Sequence, residues 1–221
     1  MDNPTRRGFA SRSTLLVLCA AVAAGLGLYS AQRYFTPAAQ PPVVSQQQLK
    51  AVRLINPPRE LGHYQLTRSD GSALGVDQLR GHWTIVFLGF TQCPDVCPTT
   101  LAELAKAQKT WATISESRRP RVLFVSVDPE RDTPAITGDY AEFFNPETIA
   151  ATADAEPLAN FAATMGLVYM KVPLDEGGYS MDHSATLVVL DPQGRQAGLI
   201  RPPLAWQQIA GDLRLLSALQ P

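Results

Sequence analysis

The sequence predicts an α/β domain, a central mixed β-sheet flanked by helices, carried behind an N-terminal membrane anchor. Two continuous apolar runs, 84–90 and 121–127, read as strands buried on both faces, which is the signature of parallel strands covered by helices. A helical apolar pattern lies between them, giving a βαβ crossover. Two hairpin signals flank that unit. Composition agrees: of 221 residues, 45% are hydrophobic and 18% charged, which excludes wholesale disorder, a collagen-like chain and a polytopic membrane protein. A domain of ~150 residues buries enough surface to need no disulfide staples.

The elements follow in order. Residues 1–12 read as a cytoplasmic N-terminus and 13–31 as a transmembrane anchor. Arg6, Arg7 and Arg12 precede an apolar run over 15–28 and only Arg33 follows closely, which places the N-terminus inside. Counted over 13–31 the run suffices for a bilayer, which needs roughly 17–25 residues. A cleaved signal peptide is the competing reading, but Tyr29 sits where a cleavage site wants a small residue, and retention is favoured. Thr5-Arg6-Arg7-Gly8-Phe9 also resembles a twin-arginine export signal. Cys19 inside the run reads as a small apolar residue.

Residues 32–58 read as a spacer, with Pro37, Pro41, Pro42, Pro57, Pro58 and Gln46-Gln47-Gln48 and no sustained apolar period. At ~3.1 Å per residue in a polyproline conformation it would hold the domain, 59–221, several nanometres from the membrane. Tyr64 to Thr67, the turn Ser69-Asp70-Gly71-Ser72 and Ala73-Leu74 form the first hairpin. After the strand at 84–90, a helix opens near Pro98 with Leu101, Leu104 and Trp111 on one side. Thr133 is the N-cap and Pro134 the first residue of a helix ending near Phe144. A short helix covers 157–165 and an edge strand 168–172. Residues 186–190 and 196–200, joined by Asp191-Pro192-Gln193-Gly194, form the second hairpin, and a helix over 203–219 closes the chain.

Charge adds an exclusion. The net charge is −1, and setting aside Asp2, Arg6, Arg7 and Arg12 leaves 16 basic and 19 acidic residues with no basic stripe, so nucleic-acid binding is not expected.

The chemistry concentrates where the first buried strand meets its helix, in Cys93-Pro94-Asp95-Val96-Cys97-Pro98. Sites form at the C-terminal ends of such strands, and the free amides of a helix N-terminus lower thiol pKa values. Three residues between the cysteines let both sulfurs face one soft ion, and a disulfide also remains open if the Cα atoms lie within ~7 Å. Thiolate pairs select Cu(I), zinc or iron–sulfur clusters, and structural zinc wants four ligands that this domain does not offer in cysteine. A nitrogen ligand is wanted, and His183 supplies it, with Asp182 beside it to orient the ring. His63 and His82 read as ordinary polar residues, and Met181 as packing. Asp128-Pro129-Glu130-Arg131-Asp132 follows the second buried strand at the same sheet end, where Asp128 and Arg131 are placed to tune thiolate charge or touch a partner.

Phe87 to Pro98, Val125 to Pro134 and Asp182-His183-Ser184 together resemble the Sco/SenC family, whose members assemble the binuclear copper centre of cytochrome c oxidase. The resemblance covers about residues 58–219. It implies a thioredoxin-like fold, one copper ion, as Cu(I) or Cu(II), held by Cys93, Cys97 and His183, and an N-terminal anchor. One departure stands at Thr152-Ala153-Asp154, away from the ligands. The implied protein is a metallochaperone more than an enzyme, single-pass in a bacterial inner membrane with its domain in the periplasm. Its implied partners are the copper-centre subunit of the oxidase and a copper donor or thiol reductant. Other functions compete: a thiol-disulfide reductase whose Cys93 and Cys97 cycle through a disulfide, a thioredoxin-like redox sensor, and a thiol peroxidase. Against the last, no threonine and arginine cluster is evident around Cys93.

Overall fold

The computed structural model describes residues 12–35, 45–175 and 177–219. The chain divides into two compact units, residues 1–42 and 43–221. In the first, α1 (Arg12–Phe35) is a helix whose stretch Thr14–Ala31 is long and apolar enough to cross a bilayer, a property that signal sequences share.

The second unit is built on an eight-stranded sheet. Its strands are β1 (Arg53–Arg59), β2 (Leu66–Arg68), β3 (Ala73–Leu74), β4 (Thr84–Gly89), β5 (Arg121–Ser126), β6 (Ile149–Thr152), β9 (Leu187–Leu190) and β10 (Gln196–Ile200). They lie in the order β1-β10-β9-β4-β5-β6-β2-β3. The apolar run at 84–90 does what its composition dictates: every residue of β4 is buried, parallel to β5 on one side and antiparallel to β9 on the other. Between β4 and β5 runs α2 (Val96–Trp111), which buries Leu101, Leu104 and Trp111 against the sheet. The Trp111 indole donates to the Ala210 carbonyl of α5 (Trp206–Ala218) at 3.2 Å. Thr133 caps α3 (Pro134–Phe144), accepting from the Ile136 amide, with Pro134 first in the helix as expected. The helix after β6 is α4 (Ala155–Met165), begun at Asp154, so the departure at 152–154 falls on a strand end and a helix cap.

Three segments differ from expectation. Residues 45–58 are not free spacer: β1 pairs with β10, and ahead of it Leu49 and Val52 are buried. Pro57 and Pro58 hid the strand, because prolines lack the donor a central strand needs but are tolerated at an edge. The amides of Lys50, Ala51 and Val52 donate to the Asp212 carboxylate on α5, at 2.9, 2.7 and 2.8 Å. Residues 36–44 of the expected spacer lie outside the described residues. Second, β6 was unannounced, because its four residues are too few for a pattern and its centre, Ala150 and Ala151, carries little strand signal although both are buried. Third, the expected edge strand at 168–172 is β7 (Tyr169–Pro173), but it joins no large sheet. It pairs with β8 (Tyr179–His183) in a separate antiparallel hairpin.

Candidate metal centre

The cysteine arm grows out of the core. β4 ends at Gly89, and α2 opens at Val96, two residues earlier than Pro98 suggested, so Cys97 falls in its first turn. Gly89 is required by close approach: a Cβ there would lie 2.8 Å from the Phe124 ring and 2.9 Å from the Cys97 sulfur. The loop between is pinned from below by Asp132, which is fully buried and accepts from the Thr91 amide at 2.8 Å, from the Thr91 hydroxyl and from the Ser126 hydroxyl. Cys93 is half-buried and Cys97 buried, both as free thiols. The Cys97 amide donates to the Cys93 sulfur at 3.4 Å.

Helix-terminal amides were expected to lower both thiol pKa values. For Cys97 the outcome is the reverse. Burial pushes its thiol well up, a hydrogen bond with the Phe90 backbone opposes this, and the Cys93 sulfur adds to the rise. Desolvation outweighs the helix terminus for a sulfur this deep. A bound cation reverses that balance, since coordination deprotonates a thiol outright.

The histidine arm is β8. His183 at its end has its Nε2 3.4 Å from the Cys97 sulfur. The three ligand atoms of Cys93, Cys97 and His183 all lie within 4.8 Å of one another, the one such cluster among the described residues. Phe87 and Phe90 meet the imidazole edge-on, with ring centres 5.9 and 6.0 Å away. Nδ1–H donates to the Ser184 carbonyl at 3.2 Å, which fixes the tautomer and leaves the Nε2 lone pair facing the sulfurs. Burial lowers the His183 pKa, with the Ser184 bond and the Asp182 charge opposing, so the ring is neutral at pH 7 and ready to ligate.

Asp182 does not orient that ring. Successive strand residues face opposite ways, and Asp182 is exposed while the backbone of Ser184 does the orienting. Asp128 and Arg131 pair with each other, Asp128 being buried. Among the carboxylates, Asp132 and not Asp128 adds to the Cys97 shift. His82 donates through Nδ1 to the Arg119 carbonyl at 3.0 Å, His63 is exposed and Met181 is core, as expected. The sequence reading missed Phe87, Phe90, Gly89 and Asp132. A glycine closing a buried strand just before a cysteine loop was the available signal for one of them.

The SCO1/SenC family model matches residues 53–217. The chain belongs to this family. It is 37% identical over 134 residues to "Protein SCO1 homolog 1, mitochondrial" of Arabidopsis thaliana, covering 60% of this chain and 39% of that relative's length. Two solved structures are similar. Bradyrhizobium japonicum ScoI with copper bound is 34% identical at a TM-score of 0.64, over 71% of this chain and 98% of that one. Apo Sco1 of Thermus thermophilus is 32% identical at 0.68, over 78% and 99%. The SCO1/SenC fold is thioredoxin-like, and the mixed sheet with flanking helices described above matches it.

Proposed function

We propose that this SCO1/SenC protein is a membrane-anchored copper chaperone that serves the binuclear copper centre of cytochrome c oxidase. The observation that carries the reading is the convergence of two sulfurs and one imidazole nitrogen within 4.8 Å. Two thiolates and a nitrogen suit copper and fall short of a structural zinc site. The ion is cargo, one per domain, as Cu(I) or Cu(II). Cys97 holds it from the buried side, half-exposed Cys93 is the sulfur a recipient can reach, and His183 supplies the nitrogen that Cu(II) favours. The Sco family is one of cytochrome c oxidase assembly proteins, and a copper-bound relative shares the fold. The helix holding Thr14–Ala31 is the anchor, and the arginines before it orient the domain to the periplasm of a bacterial inner membrane.

Reduction of the target is a second activity of the same pair. Cys93 and Cys97, sulfurs close together and thiols free, would give two electrons and two protons to a disulfide on the oxidase subunit and become a disulfide themselves. A peroxidase is not favoured. Thr91 and Arg131 do flank the cysteine loop, but Thr91 is committed to Asp132 and Arg131 to Asp128.

The test is metal analysis of residues 43–221 purified reduced with copper and with zinc. One copper per chain, lost in Cys93→Ser and Cys97→Ser, is expected. Zinc retained in preference to copper would end the reading.

A further inference from the structure

One guanidinium bridges the two ligand arms. Arg131 lies in the loop after β5, its Nε paired with Asp128. Its Nη1 donates to the Gln92 side-chain oxygen at 3.1 Å and to the Tyr179 carbonyl at 3.1 Å. Gln92 adjoins Cys93, and Tyr179 is the first residue of β8, whose last is His183. The guanidinium also stacks on the Tyr179 ring, 3.8 Å from its centre, and stands 5.8 Å from that of Phe90, the ring that meets His183. Tyr179 returns the contact, its hydroxyl donating to Asp128 at 2.8 Å. Lys171 of β7 lies 3.8 Å from the same ring centre and pairs with Glu130 at 2.6 Å.

The placement matters because β8 has no partner in the large sheet. Besides the packing of Met181, Tyr169 and Tyr179 against the core and the contacts of the His183 ring with Phe87, Phe90 and Cys97, the hairpin is fastened by polar contacts to the 128–131 loop. Asp128, 2% exposed, anchors the pair where solvent does not screen it.

We propose that Arg131 is a positioning residue for the metal centre, clamping the β7–β8 hairpin to the cysteine loop so that the His183 nitrogen stays within reach of the sulfurs. The clamp needs arginine. Its planar fork reaches Asp128, Gln92 and Tyr179 while its face stacks on a ring, and a lysine ammonium does not do both. The inference rests on the copper-binding reading for its metal readout, but not for its structural one.

The experiment uses the full chain in detergent, wild type against Arg131→Met, Arg131→Lys and Tyr179→Leu, the last leaving the Asp128–Arg131 pair intact in case the arginine variants do not fold. Without metal, amide hydrogen exchange over residues 181–184 is expected to quicken about tenfold or more in each variant, while that over 187–190 in β9 is unchanged. With metal, the imidazole nitrogen coupling in the Cu(II) spectrum is expected to weaken and Cu(II) affinity to fall ~10-fold, with Cu(I) affinity, carried by the sulfurs, within about threefold. Arg131→Met added to His183→Ala should then change copper binding little beyond His183→Ala alone, because the clamp acts through the imidazole already removed. Exchange at 181–184 and nitrogen coupling both left at wild-type values in a folded variant would overturn the clamp, even if its melting temperature fell. A wild-type chain that takes up no copper would sink the copper reading alone, and the exchange comparison would still decide the clamp.

Discussion

Cys97 and His183 face each other across 3.4 Å, yet their arms are built from different materials. The cysteine arm hangs from β4 and α2, whose inner faces are wholly buried and whose loop is held by a buried carboxylate. The histidine arm is a two-stranded hairpin outside the main sheet, held by a few apolar and ring contacts, of Met181, Tyr169, Tyr179 and His183, and otherwise by ion pairs, hydrogen bonds and a cation–ring stack. Apolar packing of the first kind is non-directional and strong, so it fixes the sulfurs whatever the hairpin does. Polar fastenings of the second kind fail one contact at a time. The centre therefore has a rigid sulfur half and an adjustable nitrogen half. That division suits the proposed role of holding copper and then releasing it.

The largest effect expected from breaking this pairing falls on the rigid half. Cys93→Ser or Cys97→Ser should abolish copper binding in both oxidation states, measured by competition against a Cu(I) chelator and by metal content. Next comes the adjustable half. His183→Ala should retain Cu(I) as a two-sulfur complex and lose Cu(II), and the purified variant should still form and reduce its Cys93–Cys97 disulfide. If it binds Cu(II) as wild type does, the imidazole is not a ligand.

A third change probes why the sulfur half is rigid. Gly89→Ala forces a methyl against the Phe124 ring and the Cys97 sulfur, and overpacking of that kind costs about 1–3 kcal/mol. Denaturant unfolding should show the loss, and Cu(I) affinity should fall with it because the displaced sulfur is one of the proposed ligands. Wild-type stability would show that the strand end yields more easily than its burial implies.

The smallest effect lies away from the centre and serves as its control. His82 is nearly buried and its pKa is lowered, chiefly by burial, with Arg121 adding to the drop and the Arg119 carbonyl and Glu116 opposing it. The unfolded chain, with His near 6.5, then binds a proton that the folded chain refuses. Stability is complete above pH 6.5 and declines as pH falls from there toward the folded pKa. His82→Gln should flatten that segment of the stability curve while leaving copper binding alone, whereas equal slopes in both proteins would remove His82 as the cause.

The two arms also differ in how legible they were in the sequence. Cys93 and Cys97 sit in one short segment between a continuous apolar run and a helix, so local pattern sufficed to place them, as it did for β4, β5 and the Thr133 cap. His183 was reached by asking what ligand the cysteines lacked, and the hairpin that delivers it was not seen. Tyr179 to His183 is mostly polar or partly exposed, and β8 pairs outside the main sheet. The contacts of Arg131 with Tyr179 and Gln92 join residues 48 and 39 positions apart, which no local period encodes. Asp182 was misassigned for a related reason: adjacency along a strand is opposition across it. β1 was lost to its two prolines, which read as linker until the edge of the sheet is known.

If the helix holding Thr14–Ala31 anchors the chain as proposed, the capture of Lys50, Ala51 and Val52 by Asp212 limits how far the domain can search. A free tail over 32–58 would let the domain sweep a wide volume above the lipid, with a contour of about 80 Å at ~3.1 Å per residue. With residues from Ser45 onward belonging to the folded unit, the chain from Phe35 to Ser45 is ten peptide steps, with a contour of ~35 Å at most. A shorter leash raises the effective concentration for recipients embedded in the same membrane and excludes those standing far above it. On the proposed anchoring, Asp212 acts as a range setting, and it favours partners that share the bilayer.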